Sequence, residues 1–381
     1  MNIKTTCVHG AANDTHCTGA ITVPIYQSAT FAHPSMGESS GYDYSRLQNP
    51  TREHLEQIVA KLENGFDALA FSSGMAAIAT LMELFSIGDH IISSDDLYGG
   101  SIRYFDNISK KNGISVDYID TNDLDKLKSL IGKETKAIFV ETPTNPMMRV
   151  TDIAAVSKIA KEHDILLIVD NTFLTPYLQQ PIALGADIVI HSGTKYLGGH
   201  NDTLAGFLIC NSEALSEKLR FLIKTIGTGL SPFDSFLLVR GIKTLAIRME
   251  KQEINARKVA EWMCRQPKIK AVHYVGLETH PDFELSKRQA SGFGAMISFE
   301  VESEELACQI LERIQLILFA ESLGGVETLM TYPMTQTHAD VPQEQREKNG
   351  INERLLRLSV GIEDIDDIIS DLAQAIGDGN A

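Results

Sequence analysis

The chain has 381 residues, with 34 Lys plus Arg against 50 Asp plus Glu and a formal charge of −16. A chain this acidic repels a phosphate backbone or an anionic bilayer leaflet unless its basic residues are segregated, and it has no long Lys/Arg run, so neither nucleic acid nor a membrane is expected as a partner. At 43% hydrophobic and 22% charged residues it can bury a sizeable core, which excludes disorder and suggests two or three domains at about 150 residues each.

The opening Met1-Asn2-Ile3-Lys4-Thr5-Thr6 lacks an apolar run, and no stretch approaches the roughly 18 apolar residues of a membrane span. A cytoplasmic protein is expected. The five cysteines (Cys7, Cys17, Cys210, Cys264, Cys308) form no CxxC pair, and an odd, scattered set argues against a disulfide framework or a structural zinc site.

Residues 1–50 mix Pro, Gly, Ser and aromatics without sustained periodicity and read as an extended N-terminal arm. From 51 onward helical patterns alternate with short unbroken apolar runs at 68–71, 90–93, 137–140, 165–169 and 188–190. Runs too continuous for half-exposed strands are what a parallel sheet covered on both faces produces. They predict a doubly wound α/β domain over 51–245. Residues 213–264 read mostly as helix. Beyond them, strands at 294–300 and 356–360 mix with helices at 303–314 and 363–376, and a smaller α+β domain is expected over 246–381.

In open α/β sheets ligands bind beyond the carboxyl ends of the strands, so the residues that follow each apolar run carry the chemistry. After 68–71 comes Ser72-Ser73-Gly74-Met75 and a helix-forming stretch. Such a start offers free N–H groups and the positive end of the helix dipole to a phosphate, although an ordinary Ser N-cap is written the same way. The Walker A and GxGxxG patterns are absent, which disfavours a nucleoside triphosphate or a dinucleotide.

Asp170 ends the run 165–169, where a carboxylate is costly unless it meets a cation or hydrogen-bond donors; capping the turn at Asn171-Thr172 is the plainer alternative. After 188–190 comes His191-Ser192-Gly193-Thr194-Lys195-Tyr196-Leu197-Gly198-Gly199-His200. Partial burial there depresses a lysine pKa and makes its amine nucleophilic, the condition for Schiff-base chemistry, with a structural ion pair as the alternative. His191 and His200 make no recognised metal-ligand spacing, so no metal is expected. A lysine, a separate aspartate and a Ser/Gly helix start are together what pyridoxal phosphate requires: an amine for its aldehyde, a carboxylate beside its pyridine nitrogen and a phosphate cup.

At these residues the chain resembles the Cys/Met-metabolism branch of the fold-type I pyridoxal-phosphate enzymes, which includes cystathionine γ-synthase, cystathionine γ- and β-lyases, methionine γ-lyase and O-acylhomoserine sulfhydrylases. The resemblance runs along essentially the whole chain. Its motifs stand at Tyr44-Ser45-Arg46 with Asn49-Pro50-Thr51-Arg52, at 72–77, 95–100, Glu141-Thr142-Pro143-Thr144-Asn145-Pro146, Asp170-Asn171-Thr172-Phe173, 192–196, Glu321-Ser322-Leu323-Gly324-Gly325 and 356–363. It implies a mostly parallel central sheet, an extended arm and a smaller C-terminal α+β domain. It also implies that Lys195 anchors the cofactor aldehyde, that Asp170 pairs with the pyridine nitrogen and that Gly74, Met75, Ser192 and Thr194 hold the phosphate. Tyr98 would stack on the ring and take part in proton transfer. Tyr44 and Arg46 would reach the phosphate of a neighbouring subunit, so the site needs at least a dimer, and the family is typically tetrameric. Arg357 would clamp the substrate α-carboxylate with Ser322 and Asn145 nearby.

The resemblance leaves the reaction open. Gly100 stands where methionine γ-lyases have a Cys, which counts against that activity. Asp43 and Glu321 match acidic positions of cystathionine γ-synthases and γ-lyases that recognise a distal amino group, and Arg103 could meet a second carboxylate. Gln336 departs from the usual Met in the segment 331–342, and 344–350 resembles some bacterial β-lyases. Synthase, γ-lyase and β-lyase stay open in that order. A non-catalytic binding protein on the same fold is disfavoured by the joint presence of Lys195, Asp170, Tyr98 and Arg357.

Overall fold

The computed structural model describes residues 1–11, 19–336, 339, 341 and 343–377. Cys17, Thr337, His338, Asp340 and Pro342 of the sequence reading lie outside the described residues. The strands are β1 (Asp67–Phe71), β2 (His90–Ser94), β3 (Ser115–Ile119), β4 (Thr135–Glu141), β5 (Leu166–Asp170), β6 (Ile188–Ser192), β7 (Gly206–Cys210), β8 (Ile269–His273), β9 (Met296–Val301), β10 (Leu318–Phe319), β11 (Leu329–Thr331) and β12 (Leu355–Ser359). The α-helices are α1 (Ile3–His9), α2 (Pro50–Glu63), α3 (Gly74–Met82), α4 (Gly99–Tyr104), α5 (Leu124–Leu130), α6 (Ile153–Glu162), α7 (Thr175–Leu178), α8 (Glu213–Ile226), α9 (Pro232–Ile242), α10 (Leu245–Met263), α11 (Phe283–Gln289), α12 (Glu304–Arg313), α13 (Gln343–Lys348) and α14 (Ile365–Ile376).

Seven strands form the larger sheet in the order β1-β7-β6-β5-β4-β2-β3. All run parallel except β7, which lies antiparallel between β1 and β6. The five apolar runs read from the sequence are β1, β2, β4, β5 and β6. Side chains on the two faces of this sheet fall into separate buried clusters, one running on into the second sheet and the other packed under α3 and α8. A sheet covered on both faces explains why its central strands carry no polar alternation. β3 is the exception: it sits at the sheet edge, alternates between exposed and half-buried residues before the buried Ile119, and so escapes a search for unbroken runs.

The helices begin where the sequence supplies caps. Asn49 accepts from Thr51 N ahead of Pro50 at the start of α2, and Asn64 closes it in the left-handed conformation. Ser73 accepts from Ala76 N at the start of α3, and Ser231 caps α9 ahead of Pro232. The expected arm is not wholly extended. It opens with α1, which is capped by Asn2 and buries Cys7.

The second sheet, β10-β11-β12-β9-β8, is antiparallel except for the short parallel pair β10/β11. It carries Arg357 on β12, opposite Thr331 of β11 and Ser298 of β9. α12 and α14 pack together, capped by Ser303 and Asp364. No helix of the described residues is long and apolar enough to cross a membrane.

Candidate active site

The carboxyl ends of β4, β5 and β6, the start of α3, the Tyr98 loop and the 321–323 loop enclose a cavity of about 200 Å³. Antiparallel β7 shapes one wall. Because it runs backwards, its first residue, Gly206, lies in register with both Phe71 at the end of β1 and Ser192 at the end of β6. A Cβ on Gly206 would collide with the Ser73 carbonyl and come within 2.7 Å of Gly74 N. The missing side chain is what lets α3 begin directly above the sheet. Ser73, Gly74, Met75, Ser192 and Thr194 all line this end of the cavity. Thr194 is fixed by bonds between its hydroxyl and Ala205, to the carbonyl at 3.2 Å and from the N–H at 3.0 Å.

Lys195 projects into the cavity and donates from Nζ to Ser322 Oγ at 3.0 Å. Burial, reinforced by the nearby Arg357 charge and opposed by Glu321, lowers its pKa to about 8. Ser322 has φ +93°, a conformation that L side chains rarely adopt, and its carbonyl accepts from Arg357 at 3.0 Å. Strain at a residue engaged by two cations in this way is typical of functional sites.

Asp170 ends β5 and is buried, with Oδ1 accepting from Thr172 N at 3.0 Å and Thr172 Oγ1 at 2.6 Å. Burial raises its pKa; the Thr172 bonds and His191 pull the other way. Glu141 ends β4 in register with Asp170 and is also buried. Burial and then the Asp170 charge hold its carboxyl well above the ordinary range.

Arg357 is 1% exposed and lies close enough to the Glu141 and Glu321 carboxylates to feel their charge. Nη1 donates to Asn145 Oδ1 at 2.8 Å and Nη2 donates to Ser322 O and to Thr331 Oγ1, while Nε is buried without a partner. Burial lowers its pKa to about 10. A buried guanidinium with an unsatisfied donor is costly unless an anion comes to it.

Lys195, Tyr98, Gly74, Met75, Asp170, Ser192, Thr194, Arg357, Ser322, Asn145 and Glu321 therefore converge on one cavity. Four other expected residues do not border it. Arg103 is exposed on α4. Asp43 stays in the arm, accepting from Ser39 Oγ at 2.7 Å, with His33 at 3.6 Å. Tyr44 and Arg46 are exposed, with the Arg46 guanidinium 5.5 Å from the Tyr44 ring centre and Nη1 bonded to Lys224 O at 2.6 Å. Sequence reasoning gave no role to Glu141, Thr172 or Leu204, which also line the cavity. The signal for Glu141 was present, a carboxylate ending the run 137–140, the same pattern that singled out Asp170.

The donor set fits pyridoxal phosphate: a buried amine of lowered pKa, a carboxylate with one oxygen tied down, and an α-helix start approached without a Cβ. The family model described as "Cys/Met metabolism PLP-dependent enzyme" matches residues 4–377. A "Cystathionine beta-lyase" of Lactococcus lactis is 50% identical over 98% of this chain and 99% of its own length. A "Cystathionine gamma-synthase/O-acetylhomoserine (thiol)-lyase" of Bacillus subtilis is 51% identical over 94% of this chain and 92% of its own. The crystal structure of cystathionine gamma-lyase from Lactobacillus plantarum complexed with L-serine superimposes with a TM-score of 0.96 at 44% identity, covering 98% of each chain. A match along the whole chain, carried by a cavity whose amine, carboxylate and helix start suit this cofactor, shows that the chain belongs to the pyridoxal-phosphate-dependent enzymes of Cys/Met metabolism.

Proposed function

We propose that this enzyme works on cystathionine at its Cγ–S bond, forming it from an O-acylhomoserine and cysteine or cleaving it. The observation that carries this reading is Glu321. It lines the cavity directly before Ser322, so an acidic group stands beside the lysine and the carboxylate-seeking Arg357. A substrate with a carboxylate at one end and a second ammonium further along matches that spacing of charges. Asp43 and Arg103 remain candidate substrate contacts only if a neighbouring subunit brings them to the cavity.

When bound, pyridoxal phosphate supplies an electron-accepting ring that stabilises negative charge at the substrate α-carbon. Lys195 would carry its aldehyde and Asp170 would face its ring nitrogen. Gly74, Met75, Ser192 and Thr194 would hold its phosphate, joined by Tyr44 and Arg46 of a neighbouring subunit. Arg357 holds the substrate α-carboxylate, with Asn145 and Ser322 fixing the guanidinium plane. Released Lys195 Nζ, with a pKa of about 8, takes the Cα proton, and the Ser322 hydroxyl orients it. Tyr98, 40% exposed at the mouth, covers the site and assists proton movement. The same assignment requires at least a dimer that shares its sites, and the tetramer typical of the family is the assembly proposed for the working enzyme. Its four described cysteines are unpaired, which supports a cytoplasmic setting.

One observation favours β-cleavage as a second reading. The segment that resembles β-lyases forms α13, and it reaches the Tyr98 loop through Lys348, which donates to Asp95 at 3.1 Å. Products separate the readings. Holoenzyme given cystathionine yields cysteine and a four-carbon 2-oxo acid by γ-cleavage, but homocysteine and pyruvate by β-cleavage. O-acylhomoserine plus cysteine yields cystathionine only if γ-replacement operates. Mass spectrometry showing homocysteine and pyruvate alone would overturn the γ reading.

A further inference from the structure

Two acidic side chains stand next to each other in the floor of the cavity, and the proposed function uses only one. Asp170 answers to the cofactor. Glu141, its register partner on β4, is 6% exposed and has both oxygens engaged by backbone donors. Oε2 accepts from Tyr98 N and Oε1 from Asn145 N, both at 3.0 Å. Asn145 in turn accepts from Arg357 Nη1 at 2.8 Å through its side-chain oxygen. One buried carboxyl thus joins the residue over the mouth of the site to the residue that holds the guanidinium. Placing a second carboxyl beside Asp170 in a buried site is costly, and a fold in need of a turn cap alone has uncharged residues that do the job without that cost.

We propose that Glu141 is a positioning residue of the active site, setting Tyr98 and, through Asn145, the Arg357 guanidinium by way of its two backbone hydrogen bonds. The inference rests on the proposed roles of Tyr98 and Arg357. It makes Glu141 a determinant of how tightly the substrate carboxylate is held rather than a group that touches substrate. Removal of the carboxyl frees the Tyr98 and Asn145 N–H groups together, so disturbances at the two ends of the site should appear as a pair.

The test uses holoenzyme of Glu141→Ala and Glu141→Gln, with kcat and KM measured for the substrate identified by product analysis. Visible circular dichroism of the cofactor and the melting temperature are recorded alongside. Glu141→Ala is expected to raise KM by about ten-fold or more, because a shifted guanidinium weakens carboxylate binding, and to alter the cofactor dichroism as Tyr98 moves. Glu141→Gln keeps one acceptor oxygen and is expected to fall between Glu141→Ala and the parent on both readouts. Unchanged KM and unchanged dichroism in Glu141→Ala would overturn the proposal, as would a lowered melting temperature with both site readouts intact. If Glu141→Ala does not fold, Glu141→Gln decides in the same way. Arg357→Lys is the control for the underlying site reading. An unchanged KM there defeats that reading, whereas a raised KM there combined with an unchanged one in Glu141→Ala defeats the positioning role alone.

Discussion

Lys195 and Asp96 show burial acting in opposite senses on two kinds of charge. Lys195 is a base whose charged form burial disfavours, so at neutral pH far more of its amine is free than in an ordinary lysine. In cofactor-free protein the rate of pyridoxal phosphate capture should therefore climb with pH and level off above about 8. Stopped-flow absorbance would record it, and a profile still rising toward the ordinary lysine value would contradict the buried amine. Asp96 is a buried acid whose pKa rises to about 6, through burial first, although Thr144 Oγ1 donates to it. A folded-state value above the unfolded 3.8 means the native state binds the proton more tightly. The resulting penalty is absent below the unfolded value, grows as pH rises between the two, and is complete above 6, where it amounts to about 3 kcal/mol. Asp96→Asn should gain stability relative to the parent as pH rises from 4 to 7, by at most that amount. Urea unfolding at several pH values measures the difference, and a gap independent of pH would contradict it.

The elements that build the site differ in how openly the sequence declares them. β1, β2, β4, β5 and β6 announce themselves because central strands buried on both faces cannot afford polar alternation. Lys195 and Asp170 were legible for a related reason, since polar residues at the ends of such runs stand out. β7 has an equally apolar run, yet its reversed direction is a matter of pairing, which composition does not record. β3 alternates at an edge, and β10 has only two residues, both exposed, so neither carries a strong pattern. Glu141 ends a run just as Asp170 does, but the role proposed for it lies in which backbone N–H groups it meets, 43 and four residues away, and that the pattern does not record. The consequence of the β7 reversal can be tested at Gly206. A Cβ there meets backbone atoms of Ser73 and Gly74, which cannot swing aside as a flexible side chain does. Gly206→Ala should displace the start of α3, weaken cofactor affinity by about ten-fold or more and destabilise the fold by about 1–3 kcal/mol. Gly132→Ala, where a Cβ meets nothing within 4 Å, should do neither. Absorbance titration with pyridoxal phosphate gives the comparison, and equal affinity in the two variants would count against the close approach.

For the whole molecule, the arm is the part that a single chain leaves without a task. It is anchored locally: Thr30 bridges to Tyr44, Thr51 Oγ1 donates to Pro24 O at 2.8 Å, and Arg52 Nη1 donates to Ser45 O at 2.8 Å. These bonds hold Tyr44 and Arg46 out on the surface rather than over their own cavity, which is the arrangement expected of residues that serve a neighbour. In closed two-fold symmetry each chain would give its arm and receive one, so a site would draw Lys195 from one chain and Arg46 from the other. Two individually inactive variants should then complement each other. Lys195→Ala removes the amine and Arg46→Glu sets a negative charge against the phosphate, each disabling every site of its own homodimer. In a mixed dimer one site carries both defects and the other carries neither. With random assortment half the dimers are mixed and half their sites are whole, so equal mixing should restore about a quarter of the parental activity. The mixture is unfolded, refolded together with cofactor and assayed beside each variant refolded alone. Activity no higher than the average of the two separate variants would show that Arg46 acts within its own chain or not at all, and would remove the reason for placing the arm in a shared site.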